Sequence, residues 1–121
     1  MVPPLPYRTP MRKGSRMVPV LTRDEYVALA RGRGAPLLLQ MEAPWCGDCH
    51  LALPELEAVA ERYGDRLTVL RLNADADSRL REEFGLQGYP TYVFVEDERV
   101  TASCLGAPEF GLTRLVEIIV P

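Results

Sequence analysis

The 121-residue chain is short of the residues that hold metals and haem. It has one histidine, His50, three cysteines, Cys46, Cys49 and Cys104, and no methionine beyond Met41. A closed zinc site takes four ligands. All four of these side chains would have to converge, yet the adjacent Cys49 and His50 point in different directions. Cys46-Gly47-Asp48-Cys49-His50 also spells the attachment pattern of a c-type haem, with His50 as axial ligand. Nothing downstream, neither Met nor a second His, supplies the other axial position. No run approaches the roughly 20 apolar residues of a membrane-spanning helix. The first sixteen residues lack the apolar segment, roughly 7–15 residues long, of a secretory signal. Lysine is nearly absent, with Lys13 set against thirteen arginines, a bias that fits a GC-rich genome or a warm habitat equally.

What is present fits one ordinary globular domain. Apolar residues make up 47% of the chain, enough for a single core at this length. The net charge of −3 is unevenly spread. Residues 1–16 hold Arg8, Arg12, Lys13 and Arg16 with no acid, together with Pro3, Pro4, Pro6 and Pro10. The remaining 105 residues therefore carry −7, which argues against nucleic acid as the main partner. Residues 1–16 read as a flexible Pro/Arg-rich tail or a start-site extension, with Met11 or Met17 as the true start; a basic functional arm is the alternative. Residues 17–121 read as the domain. Without an export signal, the expected compartment is the reducing cytoplasm, where paired cysteines cycle more readily than they staple.

The chemistry concentrates in Trp45-Cys46-Gly47-Asp48-Cys49. An apolar run, Pro36 to Met41, precedes it, and a helical pattern begins at or just after Cys46. A Cys-x-x-Cys at a strand-to-helix junction reads as a redox pair. As a staple it would do little, since a bridge closing four residues contributes only about 2 kcal/mol in the chain-entropy model. On a regular helix, Cβ atoms at i and i+3 lie about 5–6 Å apart, whereas a disulfide wants about 3.8 Å. The bridge therefore requires a looser first turn and some strain, and strained, exposed bridges are the labile ones.

The rest of the chain alternates strands and helices. Val18-Pro19-Val20 is a short edge strand, because Pro19 cannot donate within a sheet. Thr22-Arg23-Asp24-Glu25 is a capping box opening a helix to about Arg31, ended by Gly32 and Gly34. Leu37 to Met41 is a strand buried on both faces. Leu51, Leu53, Leu56, Val59 and Ala60 give helical periodicity, with a kink at Pro54 and an end at Tyr63-Gly64. Leu67 to Leu72 is a strand, Ser78 to Phe84 a helix closed by Gly85, and Thr91 to Val95 a strand. A turn over Glu96–Glu98 leads to an antiparallel partner, Arg99 to Leu105. A last helix begins at Pro108, its apolar face holding Phe110, Leu112, Leu115, Val116 and Ile119. The order β-α-β-α-β-α-β-β-α predicts an α/β fold with a central mixed sheet flanked by helices.

On these residues the chain resembles the thioredoxin family over about 18–120. Ala43-Pro44-Trp45-Cys46-Gly47-Asp48-Cys49 matches its Ala-x-Trp-Cys-Gly-x-Cys. Pro54, Arg71-Leu72-Asn73-Ala74-Asp75, Gly88-Tyr89-Pro90-Thr91 and Gly106 match further family positions. The resemblance implies a thioredoxin-like fold and a thiol–disulfide oxidoreductase that reduces protein or small-molecule disulfides, contributing to electron transport and redox homeostasis. Cys46 would attack, helped by the backbone N–H groups and dipole at a helix start, and Cys49 would resolve. Trp45, Gly47, Asp48, Tyr89 and Pro90 would contact substrate. Pro90, if cis, would set the Tyr89 backbone beside the thiols, where an extended segment could pair with it. Pro90 would also guard the sulfur against metals. No cofactor beyond the Cys46–Cys49 pair and no metal is implied. The expected partners are disulfide-containing proteins and an external reductant, such as a reductase or a small thiol, serving a monomer. The competing reading is a protein-binding module using Trp45, Tyr89 and Pro90, with redox turnover secondary or absent.

Four residues depart from the family pattern or tune the site. Gln40 stands where the family has a buried acid, and it cannot take a proton from Cys49. Glu42 falls on the same strand face and is the candidate replacement base; the alternative is a surface acid at the strand end. Asp48 stands where proline is usual. Its charge opposes a thiolate, although it also complements the helix dipole. His50 is expected on the helix surface, where its charge could tune Cys46. Cys104 reads as a small buried hydrophobe or a regulatory or dimer-forming thiol.

Overall fold

The computed structural model describes residues 18–32 and 34–120. The expected tail over 1–16 and the domain start at 17 lie outside the described residues. Five strands and five α-helices follow one another among the described residues: β1 (Val20–Leu21), α1 (Arg23–Ala30), β2 (Leu37–Glu42), α2 (Gly47–Leu51), α3 (Leu53–Tyr63), β3 (Thr68–Asn73), α4 (Ser78–Phe84), β4 (Thr91–Glu96), β5 (Arg99–Leu105) and α5 (Leu112–Ile119). The expected α/β order holds, with the helix after the cysteines divided in two.

The sheet runs β1-β3-β2-β4-β5. Strands β1, β3 and β2 are parallel, and β4 and β5 are antiparallel to their neighbours, which makes the sheet mixed. β2 lies at the centre and every residue in it is buried. Its two faces meet different helices. Leu38, with Tyr92 and Phe94 from β4, packs against Leu56 and Val59 of α3 and Leu112 and Val116 of α5. Leu37, Leu39 and Met41 pack on the other side with Tyr26 of α1 and Leu80 of α4. A side-chain period of two puts Gln40 and Glu42 on the α3 face with Leu38. Register then brings Arg71 and Tyr92 directly opposite Gln40, one on each side.

Local chemistry accounts for the boundaries. The Thr22 capping box forms, with the Glu25 N–H donating to Thr22 Oγ1 and the Thr22 N–H to Glu25 Oε1. Asp97 and Glu98 both take positive φ, 52° and 62°. That is the twist a two-residue hairpin needs to match its strands. The expected three-residue turn is thus one residue shorter, and β4 extends through Glu96.

Two sequence expectations need correcting. The helix after the cysteines is interrupted at Ala52, and Pro54 sits in the first turn of α3. Its missing N–H costs nothing there, because first-turn donors have no intrahelical partner. Pro54 therefore starts a helix rather than kinking one, and the break changes the phase, leaving Leu51 79% exposed instead of on the apolar face. Likewise α5 begins at Leu112, not Pro108. Pro108 to Gly111 form a turn closed by the Gly111 N–H on the Pro108 carbonyl at 2.9 Å, and Phe110 is 58% exposed.

Candidate functional site

The paired cysteines sit where β2 ends. Ala43 to Cys46 form a turn in which the Cys46 N–H donates to the Ala43 carbonyl at 3.1 Å. Cys46 is the N-cap of α2, with φ −80° and ψ 105°, so it stands outside the helix and only Cys49 lies within it. The looser first turn that the spacing demanded is this N-cap. The two residues form a disulfide with Cα atoms 5.3 Å apart, within the usual range. The Cys49 N–H donates to Cys46 Sγ at 3.1 Å, as an N-terminal amide does to a Ser or Thr cap.

The bridge itself is less exposed than the sequence suggested. Cys46 is 5% and Cys49 1% accessible, packed with Ala43 and Tyr89. Exposure belongs to the residues around it. Trp45 is 69% exposed; its Nε1–H donates to Asp75 Oδ2 at 3.0 Å, and its ring meets that of Tyr89 edge-on at 5.7 Å. Gly47, Asp48 and His50 are also exposed. His50 Nε2 lies 3.1 Å from the Pro44 carbonyl, which ties the helix back to the turn.

The Tyr89–Pro90 peptide is cis. Pro90 is buried, and its carbonyl accepts the Gly106 N–H at 2.7 Å. Thr91 Oγ1 donates to the Gly88 carbonyl at 2.7 Å. A groove of about 520 Å³ opens along this loop, lined by Asp48, Tyr89, Pro90, Leu105 and Gly106 among others. A smaller cavity of about 100 Å³ is lined by Glu42, Pro44, His50 and Arg71.

Gln40, Glu42, Arg71 and Tyr92 form one network beneath the disulfide. Gln40 Nε2 donates to Glu42 Oε1 at 2.9 Å and to the Cys49 carbonyl at 3.3 Å, and Gln40 Oε1 accepts from the Tyr92 hydroxyl at 3.0 Å. Arg71 grips Glu42 with two bonds, Nε to Oε1 at 2.7 Å and Nη2 to Oε2 at 3.0 Å. Glu42 is therefore a buried ion-pair partner, not a surface acid at the strand end. Arg71 and Asp75 are the partners that sequence reasoning missed. A charge inside the apolar run Leu70-Arg71-Leu72 was the available signal, since a buried guanidinium needs a carboxylate.

Burial, and then the carboxylates of Glu55 and Glu42, push the Tyr92 hydroxyl up to about 12 from an ordinary 10. The folded state therefore holds this proton after the unfolded chain has lost it. The contribution is complete below pH 10 and disappears as pH rises toward 12. Stability is expected to fall by roughly 2–3 kcal/mol across that window on this account. Denaturant titrations of the wild type and Tyr92→Phe at pH 9 and 12 should differ by that amount in their loss.

Comparison with known proteins agrees with this geometry. Residues 17–118 match the thioredoxin family. Thioredoxin X of Arabidopsis thaliana chloroplasts is 39% identical over 74 residues, which are 61% of this chain and 41% of that protein. The thioredoxin of Rhodospirillum rubrum is 35% identical over 83 residues, 68% of this chain and 80% of that one. Among solved structures, the germline-specific thioredoxin Deadhead of Drosophila melanogaster superposes with a TM-score of 0.74 at 29% identity, covering 86% of this chain and 100% of that one. The fold and site thus define a thioredoxin-like protein with a Cys46–Cys49 disulfide at the start of α2. The chain belongs to the thioredoxin family. It spans between 41% and 62% of the length of the first three curated relatives. Among the described residues, no group of three or more His, Cys, Asp or Glu is placed to hold a metal ion. No described helix is long and apolar enough to cross a membrane.

Proposed function

We propose that this chain is a thiol–disulfide oxidoreductase that reduces disulfides in proteins or small molecules. The observation that carries this reading is the Cys46–Cys49 disulfide at the start of α2, with Cys46 outside the helix and a backbone N–H aimed at its sulfur. That N–H and the helix start favour thiolate over thiol at Cys46. The Cys46 thiolate attacks a client disulfide, forming a Cys46–client bond and releasing the other client sulfur as a thiolate. Cys49 loses its proton and attacks the Cys46 sulfur. The Cys46–Cys49 bond forms and the second client thiolate leaves. Two electrons have passed to the client, and an external dithiol or reductase restores the pair.

In this reading Trp45, Gly47, Asp48, Tyr89 and Pro90 form the client contact surface. The Tyr89 backbone is the place where an extended client segment pairs. The exposed ring of Trp45, braced by Asp75 and Tyr89, supplies apolar area. His50 tunes Cys46 from the helix surface. Glu42 acts through Gln40, orienting the Cys49 carbonyl, rather than as the base. Both its oxygens are engaged by Arg71, so accepting a proton would break a charge-assisted bond. Water is then the acceptor, and Glu42→Gln should leave the shape of the pH–rate profile unchanged. Residues 17–121 are the functional domain, residues 1–16 an appended segment, and the protein works as a cytoplasmic monomer in electron transfer to disulfides.

The test is turnover of insulin disulfides driven by dithiothreitol. Acceleration well above the dithiothreitol blank is expected. A rate equal to the blank would leave the protein-binding reading in its place, with Trp45 and Tyr89 as docking residues.

A further inference from the structure

The groove beside the disulfide carries a charge that no described residue pairs with. Among the described residues that line it, Asp48 is the only charged one. Its carboxylate makes no ion pair or side-chain hydrogen bond among the described residues, whereas the nearby carboxylates of Glu42 and Glu55 are engaged, by Arg71 and Thr113. Among the described residues, Arg71 lines the smaller cavity, where it is matched to Glu42, and Arg114 pairs with Glu117. The other lining residues are apolar, neutral or backbone, among them Pro90, Leu105 and Gly106.

We propose that Asp48 is a specificity-determining residue: it selects disulfide clients that carry a lysine or arginine next to the target cysteine and disfavours those with an acid there. This rests on the reductase reading. Asp48 lies between the two cysteines in sequence and lines the groove with Tyr89, which packs against Cys46 and Cys49. A residue flanking the client cysteine therefore passes beside a carboxylate that no described residue pairs with. Two unit charges about 6 Å apart in water shift an encounter about threefold each way. Attraction for a cation and repulsion for an acid together change the rate ratio about tenfold. The effect of Asp48 on the Cys46 thiolate is the same for every client, so it drops out of such a ratio.

The experiment uses three synthetic peptide disulfides that are identical except for Lys, Ala or Glu beside the cysteine. kcat/KM is measured for the full chain with dithiothreitol as reductant, in low salt and in 1 M salt. The expected Lys:Glu ratio is about 10 in low salt, collapsing toward unity in 1 M salt, where the screening length is about 3 Å. Asp48→Asn should bring the low-salt ratio to about 1. Glu61→Gln, an exposed acid farther along α3, should leave the ratio at its wild-type value. A wild-type ratio near 1, a ratio unchanged by Asp48→Asn, or an equal drop in Glu61→Gln would each overturn the proposal. Failure to turn over even the Ala peptide would instead overturn the reductase reading, so the two failures are distinguishable.

Discussion

Replacing Cys49 by serine is expected to lower multiple turnover by about three orders of magnitude or more while leaving the first half-reaction intact. A hydroxyl cannot displace the client from the Cys46 sulfur, so each molecule stops at one mixed disulfide. Cys46→Ser should lose both halves and trap nothing, because the sulfur favoured as thiolate is the N-cap one. Non-reducing electrophoresis after incubation with cell extract, with and without a later dithiothreitol wash, reads both outcomes. Adducts on Cys46→Ser but not on Cys49→Ser would reverse the assigned roles. Stability is a necessary control, since either substitution removes a four-residue bridge contributing about 2 kcal/mol. The fair reference is the reduced wild type, against which Cys49→Ser should differ little.

The site was legible where chemistry is local in sequence. Trp45 to Cys49, the Thr22 capping box and the Gly85 stop are each defined by a few consecutive residues, and each lies where its residues put it. The cis state of Tyr89–Pro90 followed from resemblance alone and is present. Contacts between strands were not legible. Glu42 is 29 residues from Arg71, and only the parallel register of β2 and β3 places both on one face. The same register turns Gln40 from a missing acid into a junction, with donors and acceptors shared among Glu42, Cys49 and Tyr92. Helix phase failed for a related reason. Leu51 and Phe110 obey a 3.6-residue period that the chain abandons at Ala52 and Gly111, and periodicity carries no information about where a helix is interrupted.

Arg71→Met is expected to destabilise the domain by about 3 kcal/mol, toward the lower end of what breaking a buried pair costs. The lower end applies because the Arg71 and Glu42 side chains keep 12% and 8% of their surface. The loss comes less from the missing attraction than from the Glu42 carboxylate left in the α3-facing layer with only Gln40 Nε2 as donor. For a domain of this size the midpoint should drop by roughly 10 °C or more. If that account is right, removing both charges should recover most of the loss. Glu42→Met/Arg71→Met fills the space with apolar atoms and leaves no unpaired ion, so it should lie within about 1 kcal/mol of wild type. Chemical denaturation of the two single variants and the double variant gives the coupling directly. A double variant as unstable as the sum of the singles would mean the pair is held by packing of the side-chain stems and not by charge. Turnover separates the structural role from the chemical one. On the proposed reading, in which water and not Glu42 accepts the Cys49 proton, the double variant should still reduce insulin, because the Cys46 sulfur keeps its backbone donor from Cys49.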